Sequence, residues 1–127
     1  MDNQNSIKEV GFDFDWDSKK VWVLDIPVTE MDMKELIWHF DIPFWELDDT
    51  DDYNLTPRAV IHNEQGTKEH RKKIEEADTS YPIDIMENKG KWLILDGLHR
   101  LVKLYECGDE KVKVRVIPRE KIPEIAR

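Results

Sequence analysis

Apolar and polar positions along this chain change period several times, and each change marks an element. Val21-Trp-Val-Leu-Asp-Ile26 is a dense apolar run that reads as a strand, ended by Pro27. Met33, Leu36, Ile37 and Phe40 keep helical i, i+3, i+4, i+7 spacing, so a helix is expected from an N-cap at Thr29 to Phe40. Pro43 prevents its continuation, and Phe44-Trp45 follows as an apolar plug in a loop. Leu55-Thr-Pro-Arg58 opens a short helix with Thr56 as cap and Pro57 at the first helical position. Thr67 to Ala77 reads as a helix with only a narrow stripe of His70, Ile74 and Ala77. Two strands follow, Pro82 to Met86 and Lys91 to Leu95, joined by a turn in which Gly90 supplies a positive φ. The apolar run stops at Asp96-Gly97, and a helical stripe of Leu98, Leu101, Val102 and Tyr105 starts. Gly108 ends that helix. The last strand alternates Val112, Val114 and Val116 inward with Lys111, Lys113 and Arg115 outward. After Pro118, residues Ile122 to Arg127 read as a short terminal helix.

This order predicts an α/β chain of the α+β type, a small mixed sheet with packed helices. Residues 1–18 are polar and acidic and read as a flexible arm; residues 19–127 read as one domain. A 127-residue chain with 39% hydrophobic residues and five tryptophans has the material for a core. Trp22, Trp38, Trp45 and Trp92 are expected in that core, and His39 as a structural histidine. The start of the chain has neither the basic nor the apolar segment of a signal peptide, and no apolar run is long enough to span a membrane. The lone Cys107 forms no internal disulfide and is expected half-buried at a helix end; a cytoplasmic location is the expectation.

Charge divides the chain. The net charge is −9, but residues 1–54 hold 15 acids and 4 bases, whereas residues 55–127 carry a small basic excess. The field is wrong for strong non-specific nucleic-acid binding and fits a small anionic ligand better. Glu46 to Tyr53 is an acidic loop. Counted from Asp48, it lacks the glycine and the glutamate that a calcium loop requires, so it is read as solvated. No Cys/His spacing suggests zinc, and no metal site is assigned.

The chemistry concentrates at the strand-to-helix junction. The first amides of a helix have no intrahelical acceptor, and the helix dipole favours an anion there. Gly97 lets an anion approach the backbone, His99 adds a titratable donor, and Arg100 adds a bidentate fork. Asp96 has three readings: a cap, a ligand for Mg²⁺ that bridges to a phosphate, or a catalytic base. Arg58, His70 and Arg71 are candidate second contributors from the preceding helices.

Asp96-Gly97-Leu98-His99-Arg100 resembles the phosphate-binding loop of the ParB/sulfiredoxin-like superfamily. Sulfiredoxins carry Gly-Cys-His-Arg there, related free-serine kinases Asp-Gly-His-His-Arg, and ParB proteins a Gly-Glu-Arg-Arg version. The resemblance covers residues 80–118, with a looser match from Trp22 to Pro27. Trp38-His39, Asp41-Ile-Pro-Phe-Trp45, Asp78 and Tyr81-Pro-Ile83 suggest a small-protein branch of the same type. The resemblance implies binding of a nucleotide or phosphate ester at Gly97, Leu98, His99 and Arg100. The cofactor it implies is ATP or another nucleotide with Mg²⁺, and phosphotransfer or hydrolysis with Asp96 as the catalytic residue is the associated chemistry. Leu98 stands at the sulfiredoxin cysteine position, which removes sulfinic-acid reduction. A competing reading is a non-catalytic, antitoxin- or immunity-like module whose acidic half binds a protein partner. A ParB-like DNA-associated role ranks third, because only 20 residues follow Cys107.

Overall fold

The computed structural model describes residues 7–127. Its elements run α1 (Ser18–Trp22), β1 (Val28–Asp32), two 3₁₀ turns (Met33–Glu35 and Ile37–Asp41) and α2 (Pro57–Ile61). They continue through α3 (Lys68–Glu76), β2 (Ile83–Asn88), β3 (Lys91–Asp96), α4 (Leu98–Glu106) and β4 (Lys111–Val116). A 3₁₀ turn (Arg119–Lys121) and α5 (Ile122–Ile125) close the chain. The four strands form one mixed sheet in the order β1-β4-β2-β3. β2 and β3 are an antiparallel hairpin, β2 and β4 run parallel, and β1 and β4 pair antiparallel. The fold is α+β, with helices on a small mixed sheet.

Central strand β2 is buried on both faces. Ile83 and Ile85 join a core with Leu101, Val102, Phe40 and Ile74, while Met86 joins a second core with Val21, Leu95 and Ile125. This two-sided burial suits a strand that makes a parallel pairing, and it buries Asp84 and Asn88 along with the apolar side chains. The β2–β3 turn places both Lys89 and Gly90 at positive φ, as a tight two-residue hairpin requires.

Residues 21–41 depart from the pattern reading. The apolar run at Val21 begins in helix α1, whose start is capped by Asp17 accepting from the Lys19 amide at 2.9 Å. Only Val21 of the helix is buried, and Trp22 is 54% exposed rather than in the core. The strand lies further on, at Val28–Asp32, after Pro27 instead of before it. It is set by pairing with β4 and has little apolar alternation of its own because it is a largely exposed edge. Met33, Leu36 and Phe40 are buried as the helical spacing requires, but on successive 3₁₀ turns and not on one helix from Thr29.

Residues 11–17, read from composition as part of a loose arm, pack on the domain. Asn88 donates to the Gly11 carbonyl at 2.6 Å, and the Trp16 indole donates to the Leu95 carbonyl at 3.0 Å. Residues 1–6 of that arm lie outside the described residues. Cys107 is exposed, not half-buried. Among the described residues, no helix is long and apolar enough to cross a membrane.

β3 is an edge strand with backbone groups that need partners. His39 supplies one. Its Nε2 accepts from the Ile94 amide at 3.0 Å, so its Nδ1–H donates to the Leu36 carbonyl at 2.7 Å. Burial pushes the His39 imidazole down to about 4, which keeps it in this neutral form.

Candidate functional site

The junction at residue 97 is built by close packing. Gly97 caps α4 at φ +110°, a left-handed conformation that favours glycine. A Cβ there would lie 2.9 Å from Ile83 Cδ1 and 3.1 Å from Arg100 Nη1. The glycine therefore meets two structural demands, whatever binds beside it.

From this point the side chains diverge into two cavities. Arg100 and Asp96 line one of about 590 Å³, with Trp22, Tyr81 and Arg115 around it. Arg100 Nη1 donates to the Pro82 carbonyl at 2.6 Å, and Nη2 donates to Asp96 Oδ2 at 3.1 Å. The same Asp96 oxygen accepts from the Trp22 indole at 2.7 Å. Asp84, opposite Asp96 across the hairpin, has its own clamp: Arg115 Nε donates to it at 2.7 Å. Arg115 also donates to the Val21 and Leu24 carbonyls. Two facing carboxylates would repel each other; two half-buried guanidinium groups compensate them and tie α1 to the sheet.

Three expectations are corrected here. Asp96 is not the cap of α4, because Gly97 is; its carboxylate is the acceptor for Arg100 and Trp22. Arg100 lines the second cavity and not the one at the helix start, and its Nη1 and Nη2 donate to Pro82 and Asp96. Arg115, expected to point outward with Lys111 and Lys113, is half-buried by its clamp, while the two lysines are exposed.

His99 turns the other way. It lines a cavity of about 450 Å³ with Gly97, Leu98, Trp45, Phe44, Phe14 and Trp16. Behind it stands His70, one of the candidate second contributors. His99 Nε2 and His70 Nδ1 are 2.9 Å apart, and His70 Nε2 is 3.1 Å from Glu46 Oε1. The two imidazoles lie within 4° of parallel and both stack on Trp45, at 4.6 Å and 4.3 Å between ring centroids. The tautomers follow from the ends of the chain of bonds. The Glu46 carboxylate only accepts, so His70 donates from Nε2 and accepts at Nδ1, and His99 donates from Nε2. The His99 Nδ1 lone pair makes no hydrogen bond among the described residues and is not buried away from solvent. Burial pushes His99 down to about 4, helped by His70 and Lys73. Burial lowers His70 as well, against the pull of Glu46. Both rings are therefore neutral near pH 7.

Glu46 comes from the acidic loop and Trp45 directly precedes it, and the loop is fixed at both ends. Trp45 and Leu55 exchange two backbone bonds, of 3.1 Å and 3.0 Å. Asp48 caps α3 from outside its sequence, accepting from the Lys68 and Glu69 amides at 3.0 Å each. Part of the loop thus has a structural task, while Asp49, Asp51 and Asp52 remain exposed. Arg58 and Arg71 do not join the site. Arg58 pairs with Asp41, and Arg71 forms a two-pronged pair with Glu106. Glu46 and the aromatic wall of Phe14 and Trp16 were not singled out from sequence. Residues 46, 70 and 99 are too far apart in the chain for any local period to connect them.

Asp96 Oδ2 accepts from both Arg100 and Trp22, and among the described residues no group of three His, Cys, Asp or Glu is placed to hold a metal ion.

No protein-family model matches the chain, and no curated protein is similar to it by sequence. Among solved structures it is similar to sulfiredoxin from Arabidopsis thaliana, at 16% identity and a TM-score of 0.37, over 76% of this chain and 93% of that one.

Proposed function

We propose that the cavity at the start of α4 binds a small phosphorylated ligand with a planar group, a nucleotide in the first instance. One observation carries this reading: the same cavity of about 450 Å³ joins the first turn of α4 to a wall of aromatic side chains. The first amides of the helix, which have no intrahelical acceptor, and the dipole favour a phosphate at Leu98 and His99, and Phe14, Trp16 and Phe44 line the same cavity as partners for a planar ring. The volume lies in the range of small-ligand sites, about 300–1,000 Å³. Relative to the sequence reading, the anion contacts reduce to the backbone amides at Gly97, Leu98 and His99: the His99 ring N–H is directed to His70, and Arg100 lies on the other cavity.

Calorimetry with ATP, ADP, CTP and GTP, with and without Mg²⁺, tests it. At least one nucleotide is expected to bind and, at 100 times its Kd, to raise stability by about 2.7 kcal/mol. Phe14→Ala is expected to weaken that binding about tenfold through lost stacking. Absence of binding by all four at millimolar concentration would remove the reading.

A second reading is supported by the exposed carboxylates of Asp49, Asp51 and Asp52, held on a loop anchored at Trp45, Leu55 and Asp48. A rigid acidic surface of this kind suits a basic protein partner. A partner whose binding is unchanged when these three are converted to Asn would not use this surface.

A further inference from the structure

We propose that Glu46, His70 and His99 form a proton relay that makes His99 a general base of the cavity, acting on water that attacks a bound phosphate ester. The proposal rests on the ligand reading above and adds a reaction to it. Three observations support it. The bond order along the chain leaves His99 Nδ1 as the one ring nitrogen of the pair with no hydrogen bond among the described residues, on a side chain that lines the cavity. The rings are held nearly coplanar on Trp45, so the donor and acceptor stay aligned for transfer. The far end of the relay is a carboxylate at 3.1 Å, next to the ring that would carry the charge.

Water gives a proton to His99 Nδ1 while its oxygen forms a bond to phosphorus. The Nε2 proton of His99 passes to His70 Nδ1, so the positive charge comes to rest on His70, between Glu46 and the face of Trp45. The ester P–O bond breaks, its electron pair stays on the leaving oxygen, and return of the proton through the relay neutralises that oxygen. The charged groups around the relay are Glu46 from the loop and Glu69 and Lys73 from α3; Glu46 and Glu69 favour a proton on His70, and Lys73 opposes it. His99 is the catalytic residue of this scheme. His70 and Glu46 are positioning residues that act through it.

The experiment uses the full chain with p-nitrophenyl phosphate, ATP and CTP as hydrolysis probes and ADP as the binding probe. Hydrolysis of at least one probe is expected, with a loss of about a hundredfold or more in kcat for His99→Gln at ADP affinity within threefold of wild type. Glu46→Gln keeps an acceptor for His70 but removes the charge. It is expected to lower the plateau rate and to move the acidic limb of the pH profile to lower pH, a shift that a purely structural role would not produce. Nitrogen-15 correlation of the imidazoles is expected to show a proton on Nε2 of both rings. Wild-type protein that binds ADP but releases no phosphate or nitrophenol from any probe would overturn the relay and leave the binding reading in place. Hydrolysis unaffected by His99→Gln, or a Nδ1 proton on His99 near pH 7, would overturn it equally. Failure of ADP and all other nucleotides to bind would instead remove the reading beneath it.

Discussion

Arg100 and His99 are adjacent on the first turn of α4, yet the fold uses them in opposite ways. Arg100 is tied to the fold at the edge of one cavity: two of its N–H groups serve the Pro82 carbonyl and Asp96, and Asp96 in turn holds Trp22. His99 begins an open arrangement: a chain of bonds runs from Glu46 through His70 and stops at His99, a side chain that lines a cavity. A group bonded to several parts of the fold contributes stability, and a polar group with a vacant position on a cavity-lining side chain can meet a ligand. A charged residue at a helix start is therefore a weaker sign of an anion site than its unmet hydrogen-bonding capacity.

The largest expected effect falls at the residue that divides the two sides. Gly97→Val forces a β-branched side chain into a positive φ and against Ile83 and Arg100. A destabilisation of about 4 kcal/mol is expected from strain and overpacking together, read as a large drop in Tm. A Tm within a few degrees of wild type would show that the junction is looser than this packing implies.

Acid gives the next effect, and it belongs to the histidine side. Unfolded imidazoles bind protons near pH 6.5, whereas His39 and His99 hold out to about 4 in the folded chain. Between these values the unfolded state binds more protons, so stability is fully present above pH 6.5 and falls as pH drops toward 4. The contribution of fully buried His39 is on the order of 3 kcal/mol. Urea titrations across this window are expected to show the decline before most carboxylates titrate; constant stability from pH 7 to 4.5 would contradict it.

Asp96→Ala tests the Arg100 side. It leaves a half-buried guanidinium and an indole N–H without their acceptor, at an expected cost of roughly 2 kcal/mol. Glu46→Gln, on the open side, is expected to cost less than about 1 kcal/mol because the amide oxygen still accepts from His70. Equal costs, measured by denaturant unfolding, would erase the distinction. The smallest effect is in the acidic loop. Asp48→Ala removes the remote cap of α3 and is expected to cost about 1 kcal/mol, while converting Asp49, Asp51 and Asp52 together to Asn should stay within about 0.5 kcal/mol.

Much of the second half of the chain was legible because local signals agreed with tertiary demands. The β2–β3 hairpin, the break at Gly97, the stripe of Leu101 and Val102 and the end at Gly108 all lie where pattern and turn chemistry place them. Residues 21–32 were not legible. The capped helix at Ser18 competes locally with the apolar run, and β1 exists through pairing with β4, which no local pattern encodes. At the site, His99 and His70 were visible as candidates. Their connection through Trp45 to Glu46 was not, because it depends on a loop closed by the Trp45–Leu55 bridge and on a cap donated by Asp48 across 20 residues.

The most direct test of which side meets a ligand is an NMR titration of the isotope-labelled chain with ADP, following backbone amides and tryptophan indoles together. The account predicts shifts at the Gly97, Leu98 and His99 amides and at the Trp16 indole, with the Trp22 indole and the Arg100 Nε–H unchanged. Shifts centred on Trp22 and Arg100, or no shift anywhere at millimolar ADP, would contradict it.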